Sequence, residues 1–362
     1  MADKKGIGII GYGGFGEFIH KAWNQMSSVH VVAVCDSDPM RAPGGDAVFY
    51  SDDAELLADP NVDIVSIATP PNTHKSIAIA AMRAGKHVLV EKPISLSESD
   101  AAEIRRVSEE TGRVATVNFV LRFNPMVEML REIISSGVLG APRRCDLRNY
   151  AMQDTVPEGH WFWNPEISGG IFLEHGVHFF DLAGWVLNSI AVDTCSMAVE
   201  RKSGMQDRVF ASVRYNSDVI GTYWHSFSRP RELETTTFHF AFDLGEIEMI
   251  GWIPLELRIW GWTDEGGLAK LKSLRQKTEV TARQMEPFAA HSSDTFYNVE
   301  YELHTTFRLD EPKLEVYAEN LRSIMADLVQ AIDDPAHRMR VTLEDAIEAV
   351  RVAEMATKGA CK

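Results

Sequence analysis

The chain has 362 residues, of which 45% are hydrophobic and 24% charged, a composition typical of globular proteins that excludes the disordered and fibrous classes. This length suits two domains better than one small core. The formal net charge is −16 and no block of Lys and Arg occurs, which argues against nucleic acid as a partner because such a surface repels polyanions. No apolar run approaches the roughly 20 residues of a membrane-spanning helix.

The N-terminus and the cysteines bear on the cellular compartment. Residues 1–5 lead straight into a strand-like run, without the apolar region of a signal peptide. Cys35, Cys145, Cys195 and Cys361 are far apart in the sequence and form no CxxC pair. This spacing argues against a zinc ribbon or a disulfide framework. We therefore expect a reducing, cytoplasmic environment.

The first third of the chain alternates short apolar runs with helical patterns. Strands are predicted over residues 6–10, 29–35, 63–68, 87–90 and 114–118, and helices over residues 16–26, 74–84 and 96–111. Ser95 or Ser97 caps the last of these helices. Continuous apolar strands that alternate with helices predict a parallel sheet covered on both faces.

The remainder of the chain has a different pattern of predicted helices and strands. A helix is predicted over residues 125–136 and another over 175–187, and strands over 143–150, 192–200, 209–215, 220–227, 236–242, 247–250 and 255–260. Two helices close the chain, one with an apolar stripe from Tyr317 to Ile332 and one that starts at a capping box, Thr342–Asp345. Successive strands predict an open, mainly antiparallel sheet. We expect an α/β domain over 1–121 and an α+β domain over 122–362.

A glycine-rich hexapeptide, Gly11-Tyr12-Gly13-Gly14-Phe15-Gly16, has the pattern G-x-G-x-x-G. A glycine cluster alone also fits a plain tight turn. Here a strand precedes it, a helix follows it, and Asp36 ends the next strand 20 residues after Gly16. Dinucleotide sites need these parts, because the glycines allow backbone to approach the pyrophosphate and the acidic side chain binds the adenosine ribose.

Asp36 also bears on which dinucleotide is bound. A carboxylate at this position repels a 2′-phosphate, and no Arg or Lys follows before Arg41. NAD is therefore favoured over NADP. The alternative is that Arg41 acts as a partner for the phosphate.

Lys92 follows a buried parallel strand in the run Val88-Leu89-Val90-Glu91-Lys92-Pro93. Ligands of open α/β sheets bind at the carboxyl ends of the strands, where an ammonium group can polarise a substrate oxygen. An exposed salt bridge in a loop is the alternative interpretation.

A second set of chemically active side chains lies in residues 168–181. Glu174 and His178 are four residues apart and share one face of a helix, with Asp181 one turn further. A His with a carboxylate one turn away is typical of a general base, although packed histidines on a capped helix are also compatible. His175 and His178 have a spacing that suits a metal, but no third ligand is suitably placed, so no metal is predicted.

These motifs fall in the order found in one family. The glycine loop, the Thr69-Pro70-Pro71-Asn72-Thr73-His74 segment, residues 84–88 running into Glu91-Lys92-Pro93, and residues 169–181 together resemble the glucose–fructose oxidoreductase and inositol dehydrogenase family. The resemblance covers essentially the whole chain.

The resemblance implies roles for individual residues. Lys92 matches the catalytic Lys, His178 matches the proton acceptor, and Glu174 stands where the family usually has Asp. Arg122 matches the family's entry to the second domain and is the implied substrate contact. Trp161 and Trp163 precede the Gly169-Gly170 turn and are expected to line the substrate pocket. His175 departs from the family's pattern, and either a substrate contact or a helix cap would fit. The residues implied to line the cofactor are Gly11, Tyr12, Gly13, Gly14, Phe15, Gly16, Asp36, Thr69, Pro70, Asn72, His74, Glu91, Lys92 and Asn118.

The implied activity is hydride transfer between NAD and a sugar or polyol. Two alternatives remain, a non-catalytic dinucleotide-binding regulator and an NAD-dependent glycosidase. The resemblance also implies a homodimer or homotetramer built by packing of sheets. Residues 249–262, with Trp252, Trp260 and Trp262, are the predicted contact surface, unless residues 266–307 fold over that face as a lid.

Overall fold

The computed structural model describes residues 4–152, 156–202, 205–274 and 280–361. These residues form two compact units, which are treated separately below. The first unit runs to Phe123 and adds Gly159–Asp181 and Leu314–Glu354, and the second contains the segments between them. The predicted boundary near residue 121 lies close to the first break. The functional division into 1–121 and 122–362 stays a prediction, because two later segments return to the first unit.

Helices account for much of both units. They are α1 (Gly14–Trp23), α2 (Asp53–Ala58), α3 (His74–Arg83), α4 (Glu98–Thr111), α5 (Pro125–Ser136), α6 (Pro165–Ser168), α7 (Val177–Leu187), α8 (Glu265–Ser273), α9 (Lys313–Asp333) and α10 (Leu343–Lys358). Ser97 caps α4, because its side chain accepts a hydrogen bond from the amide of Asp100 (3.1 Å). The predicted capping box is also present, since the amide of Asp345 donates to Thr342 Oγ1 and the amide of Thr342 donates to Asp345 Oδ2.

The described strands of the first unit form one parallel sheet. They are β1 (Lys5–Ile10), β2 (Val29–Cys35), β3 (Val48–Tyr50), β4 (Ile64–Ile67), β5 (His87–Val90) and β6 (Ala115–Val117). Their order is β3-β2-β1-β4-β5-β6. Every residue of β4 is buried, as expected for a sheet covered on both faces. The predicted parallel sheet is confirmed, and its order reverses beside β1, where open α/β sheets bind ligands.

The second unit is built on a larger sheet. Its strands are β7 (Pro142–Met152), β8 (Ala191–Lys202), β9 (Met205–Tyr215), β10 (Ile220–Arg229), β11 (Thr235–Phe242), β12 (Gly245–Ile250), β13 (Glu256–Thr263), β14 (Ala282–Ser292), β15 (Thr295–Arg308) and β16 (Ala360–Cys361). Their order is β14-β15-β13-β12-β11-β7-β10-β9-β8-β16. Within the described part of this larger sheet, only the pairs β7–β10 and β8–β16 are parallel. The predicted mainly antiparallel sheet is therefore confirmed.

The strands β14 and β15 contradict the alternative in which residues 266–307 form a lid. The described residues of this range do not fold over a sheet face. They form α8 and a hairpin that extends the sheet at its edge beside β13. The pattern is hard to read from the sequence because β14 is exposed on both faces, so its residues do not alternate between apolar and polar.

Residues 249–262 contain less exposed apolar surface than predicted. Ile253, Leu257 and Ile259 are buried inside the second unit, whereas Trp260 is 47% exposed. Successive residues of a strand point to opposite faces, so the apolar residues of this segment divide between the two faces. The outer face consequently combines Trp260 with charged side chains such as Arg258.

The search for membrane-spanning segments among the described residues found no helix with the length and apolar character that a bilayer requires.

Arg122 lies in the core of the first unit rather than on a ligand surface. Its guanidinium donates two hydrogen bonds to Asp181, from Nε to Oδ2 (2.9 Å) and from Nη2 to Oδ1 (2.5 Å). Nη1 donates to the carbonyl of Arg340 (2.9 Å) and Nη2 lies 3.0 Å from Asp345 Oδ1. Arg122 is 3% exposed, so its donors are used within the unit. We therefore leave Arg122 out of the proposed substrate contacts.

Arg122→Met should lower the free energy of unfolding by about 3–5 kcal/mol, because it leaves the Asp181 carboxylate buried without its ion-pair partner. Urea denaturation measures this loss. Arg106→Met is the matched control, since Arg106 pairs with Glu103 and Glu110 on the surface and should cost less than about 1 kcal/mol. Equal losses in the two variants would contradict a structural role for the buried pair.

Candidate active site

The glycine loop joins β1 to α1, and its main chain lies close to the main chain at Ala68 and within the loop itself. Gly11 has a φ of +93°, and a Cβ atom there would lie 2.6 Å from the carbonyl oxygen of Ala68. A Cβ atom at Gly16 would lie 2.4 Å from the carbonyl oxygen of Gly11. Only glycine fits both positions. At Gly14, where α1 begins, a Cβ atom would meet no heavy atom within 4 Å, so the start of the helix faces open space.

Asp36 is fixed against this loop by main-chain donors. Its Oδ2 accepts a hydrogen bond from the amide of Tyr12 (2.8 Å), and its Oδ1 accepts one from the amide of Asp38 (3.0 Å). Arg41 Nη1 lies 3.4 Å from Asp36 Oδ2. The carboxylate predicted to bind ribose is therefore tied to the glycine loop at the end of β2.

The loop and Asp36 line one cavity of about 890 Å³. Its other lining residues include Phe15, Arg41, Thr69 and Pro70 from the first part of the chain, together with His160 and Trp161. Trp161 was expected against the substrate, but the structure places it on the cavity that contains the glycine loop. Trp163 instead packs edge-on against Phe162, with ring centroids 4.9 Å apart.

Two residues of the Thr69–His74 segment do not face that cavity. Asn72 is exposed. His74 is 1% exposed, with Nδ1 2.7 Å from the carbonyl oxygen of Pro93 and Nε2 2.8 Å from that of Thr69. Burial lowers the pKa of His74, although both carbonyl contacts oppose this. His74 thus links the loop after β4 to the loop after β5.

Lys92 is held by a residue far along the chain. Its Nζ donates to the carbonyl oxygen of Glu174 (2.5 Å) and to Glu174 Oε1 (2.7 Å). The two side chains are 14% and 13% exposed, and an ion pair so shielded from water is stronger than a surface pair. The interpretation of Lys92 as an exposed loop salt bridge is therefore wrong.

Glu174 reaches Lys92 from an unusual turn. Residues Phe172–Gly176 form a π-helical turn directly before α7. π-Turns occur mostly as single insertions at functional sites. Residues four apart remain close to one face in a turn of this kind, so the pairing of Glu174 with His178 stays a prediction. The Glu174 carboxylate is bonded to Lys92.

His178 is 5% exposed near the start of α7. Its ring lies edge-on to that of His175, with centroids 6.3 Å apart. Desolvation, and secondarily the charge of Lys92, lowers the pKa of His175 to about 3. His175 is consequently neutral near pH 7 and does not exchange a proton there. Among the described residues, no cluster of three or more His, Cys, Asp and Glu side chains is arranged to hold a metal ion.

Glu91 and Asn118 stand at the ends of the neighbouring strands β5 and β6. Asn118 Nδ2 donates to Glu91 Oε1 (2.5 Å). Desolvation raises the pKa of Glu91 to about 7, against the opposing effect of Asn118. Asn118 Oδ1 is buried without a hydrogen-bond partner among the described residues.

These features fit a dinucleotide. The positions of Gly11 and Gly16 admit no side chain, Gly14 opens onto the cavity, and a buried acceptor at Asn118 lacks a donor. Together they provide main-chain N–H groups for a pyrophosphate, a carboxylate for a ribose and an acceptor for a further polar group.

Two curated relatives are similar to part of the chain. One is the 1,5-anhydro-D-fructose reductase of Ensifer adhaerens, 34% identical over 48% of this chain and 53% of the relative. The other is the myo-inositol 2-dehydrogenase of Thermotoga maritima, 30% identical over 59% of this chain and 66% of the relative. The matches thus span about half to two-thirds of the length of these relatives. Among solved structures, an NAD-binding oxidoreductase from Klebsiella pneumoniae is 21% identical with a TM-score of 0.77, covering 98% of this chain and 96% of that one, which supports the fold.

Two family models match the chain in sequence order. A model described as "Oxidoreductase family, NAD-binding Rossmann fold" matches residues 5–119. A model of the GFO/IDH/MocA C-terminal domain matches residues 127–248. The two matches cover more than half of the chain. The chain therefore belongs to the GFO/IDH/MocA family of oxidoreductases, and its parallel sheet with the glycine loop is the NAD-binding Rossmann domain of that family.

Proposed function

We propose that this chain is an NAD-dependent oxidoreductase that transfers hydride between a secondary alcohol of a sugar or polyol and the nicotinamide. The observation that carries the proposal is the Lys92–Glu174 pair, which lies in the same unit as the glycine loop and directly before the helix that bears His178. A regulator that only binds NAD has no need for a shielded ammonium group at the edge of the sheet. One curated relative is named as a reductase and the other as a dehydrogenase. These names favour an oxidoreductase over a regulator or a glycosidase.

The proposed roles follow from the chemistry of the side chains. Bound NAD supplies the hydride acceptor. His178 accepts the proton of the substrate hydroxyl, since an imidazole exchanges protons near neutral pH. Lys92 donates a hydrogen bond to the same oxygen and stabilises its developing negative charge. Glu174 holds the ammonium group in place by its carbonyl and its carboxylate.

The substrate class is tested by incubating the purified protein with each of a panel of sugars and polyols, in parallel with NAD and with NADP. The absorbance of the reduced cofactor is measured, and it is expected to rise with NAD and at least one polyol. Absence of reduced cofactor across the panel, from protein that binds NAD, would favour the regulator. Release of free sugar from glycosides without accumulation of reduced cofactor would favour the glycosidase.

Lys92→Met should lower kcat by at least about a hundredfold and change NAD affinity by only a few-fold, because the lost interaction is with the charge that develops during reaction. Steady-state kinetics and calorimetric titration with NAD measure the two quantities. The control is Lys75→Met, since Lys75 also pairs with two carboxylates, Asp100 and Glu103, but on the surface. Near-normal kcat in Lys92→Met would make this Lys structural.

His178→Ala should remove the dependence of kcat/KM on pH that an imidazole base produces near neutrality. Wild-type kcat/KM for alcohol oxidation should rise with pH through this range, because only the neutral ring accepts a proton. His175 does not substitute for it, since its pKa is about 3. His30→Ala, at an exposed position on β2, is the control. An unchanged profile in active His178→Ala would transfer the base role elsewhere.

Asp36→Ala should weaken NAD binding and raise relative use of NADP, since the bonds to ribose and the repulsion of a 2′-phosphate are lost together. The measured quantity is the ratio of kcat/KM for NADP to that for NAD. Asp38→Ala is the control, because Asp38 also lies near Arg41 but does not bind the glycine loop. A wild-type protein that prefers NADP would contradict the assignment.

We further propose a cytoplasmic homodimer or homotetramer. Cys35, Cys145 and Cys195 are free thiols, which supports a reducing environment. The outer face of the large sheet has a cavity of about 420 Å³ whose lining includes His239, Arg258 and Trp260. Trp and Arg are enriched at interfaces between subunits, which supports this face as the contact.

Light scattering at micromolar concentration should give a mass of two or four chains, and Trp260→Glu should shift the mass toward one chain. The change places a charge in the proposed contact without disturbing the buried face of β13. Phe296→Glu is the control, since Phe296 is 74% exposed at the β14–β15 turn. A mass near 40.5 kDa for the wild type would contradict the proposal.

A further inference from the structure

His160 lies on the wall of the cofactor cavity and has no part in the mechanism described so far. It lines the same cavity of about 890 Å³ as the glycine loop, together with its neighbour Trp161. The centroids of these two rings are 5.1 Å apart. Helix α6, which follows shortly after them, packs against the loop after β4 at Pro71–Thr73. His160 therefore stands on the side of the cavity to which that loop belongs.

The imidazole of His160 has a fixed orientation. Its Nδ1 accepts a hydrogen bond from the backbone N–H of Phe162 (3.3 Å), so the side chain caps the short turn at Trp161–Trp163. A ring nitrogen that accepts a hydrogen bond carries no proton, and the neutral ring then carries its proton on Nε2. Because Nδ1 is turned toward the main chain, the edge of the ring with Nε2 is the part that faces the cavity. Within the described part of the chain, no residue accepts a hydrogen bond from Nε2.

The charges around the cavity leave little to bind a phosphate. The described lining contains one guanidinium, that of Arg41, and four carboxylates, those of Asp36, Asp38, Asp52 and Asp53. Arg41 Nη1 lies 3.4 Å from Asp36 Oδ2, and Arg41 Nε lies 3.6 Å from Asp38 Oδ2, so nearby carboxylates balance its charge. A dinucleotide brings two more negative charges on its diphosphate. The main-chain N–H groups at the start of α1 bind part of this diphosphate, and further donors stabilise it more.

The diphosphate is the part of a dinucleotide that suits the donor on His160. Ribose hydroxyls and the adenine amino group donate hydrogen bonds, so the carboxylates of the lining satisfy them. Phosphate oxygens only accept hydrogen bonds and are repelled by carboxylates, so they need N–H groups. A hydrogen bond from N–H to an ionised oxygen is also stronger than one between neutral groups.

We propose that His160 binds the diphosphate of NAD, with Nε2–H donating a hydrogen bond to a phosphate oxygen. The inference rests on the proposed use of NAD. The side chain then makes two hydrogen bonds in the protein with bound cofactor, one from its own turn to Nδ1 and one from Nε2 to the phosphate. The segment after β7 thereby supplies a cofactor contact that lies far in sequence from the glycine loop.

Two substitutions separate phosphate binding from capping. His160→Asn keeps a cap, because Asn is a preferred N-cap residue, but its amide is too short to reach the position of Nε2. His160→Gln places an N–H group close to that position and loses the acceptor beside the main chain. The affinities for NAD and ADP-ribose are measured by calorimetry without substrate. The affinity for adenosine, which has no phosphate, is measured by its displacement of NADH, followed by fluorescence.

In His160→Asn the affinities for NAD and for ADP-ribose should both fall about tenfold, as expected for the loss of one hydrogen bond to a charged group. The affinity for adenosine should not change. His160→Gln should bind NAD more tightly than His160→Asn, because a donor is restored. A side chain that only caps the turn predicts the reverse order of the two variants.

His30→Asn, the same change at an exposed position on β2, is the matched control and should keep the wild-type affinities. Circular dichroism establishes that each variant is folded. Wild-type affinity of His160→Asn for NAD, an equal loss for adenosine, or weaker binding by His160→Gln than by His160→Asn would overturn the inference and leave the NAD-dependent function intact. Failure of folded wild type to bind NAD at all would overturn the proposed function together with the inference.

Discussion

The position of one ammonium group determines the chemistry available to this chain. Lys92 is the second residue after the parallel strand β5, and Glu174 holds its Nζ at two points, through a carbonyl and a carboxylate oxygen. A charged amine in a place shielded from water is unfavourable unless it is paired and hydrogen-bonded. The pair meets this condition and fixes the ammonium group at the edge of the sheet that carries the glycine loop.

The rest of the first unit can be understood from this pair. The π-turn at Phe172–Gly176 presents the carbonyl oxygen and Oε1 of Glu174 to Lys92. Helix α7 starts directly after that turn and carries His178. Asp181, further along α7, is bound by Arg122. The segment that carries His178 is thus held at two points. Lys92 binds Glu174 just before α7, and Arg122 binds Asp181 about one turn after His178. The imidazole between these two attachments has little freedom to move.

The local parts of the fold and site could be predicted from sequence. The glycine loop and Asp36 are recognised by a spacing that one strand–helix–strand unit imposes, and the ends of α5 are set by Asn124 and Gly137 at its caps. Lys92 could be identified because it lies at the carboxyl end of a buried parallel strand, where ligands of open α/β sheets bind. Each of these inferences depends on residues that are neighbours in sequence.

The remaining features depend on contacts across long stretches of chain. Lys92 and Glu174 are 82 residues apart, and the π-turn that carries Glu174 has no sequence signal, so their ion pair was not predicted. Trp161 was assigned to the substrate because it precedes the Gly169-Gly170 turn, whereas the structure places it on the cavity that contains the glycine loop. The unsatisfied Oδ1 of Asn118 could likewise not be predicted from sequence, because it depends on the position of Glu91.

The central claim is direct hydride transfer from a substrate carbon to NAD. The most direct measurement uses a polyol substrate deuterated at the oxidised carbon and determines by NMR where the deuterium is found. The account predicts deuterium at one face of C4 of the reduced nicotinamide, with no wash-out to solvent. Reduced cofactor without deuterium at C4, or deuterium lost to water, would contradict it.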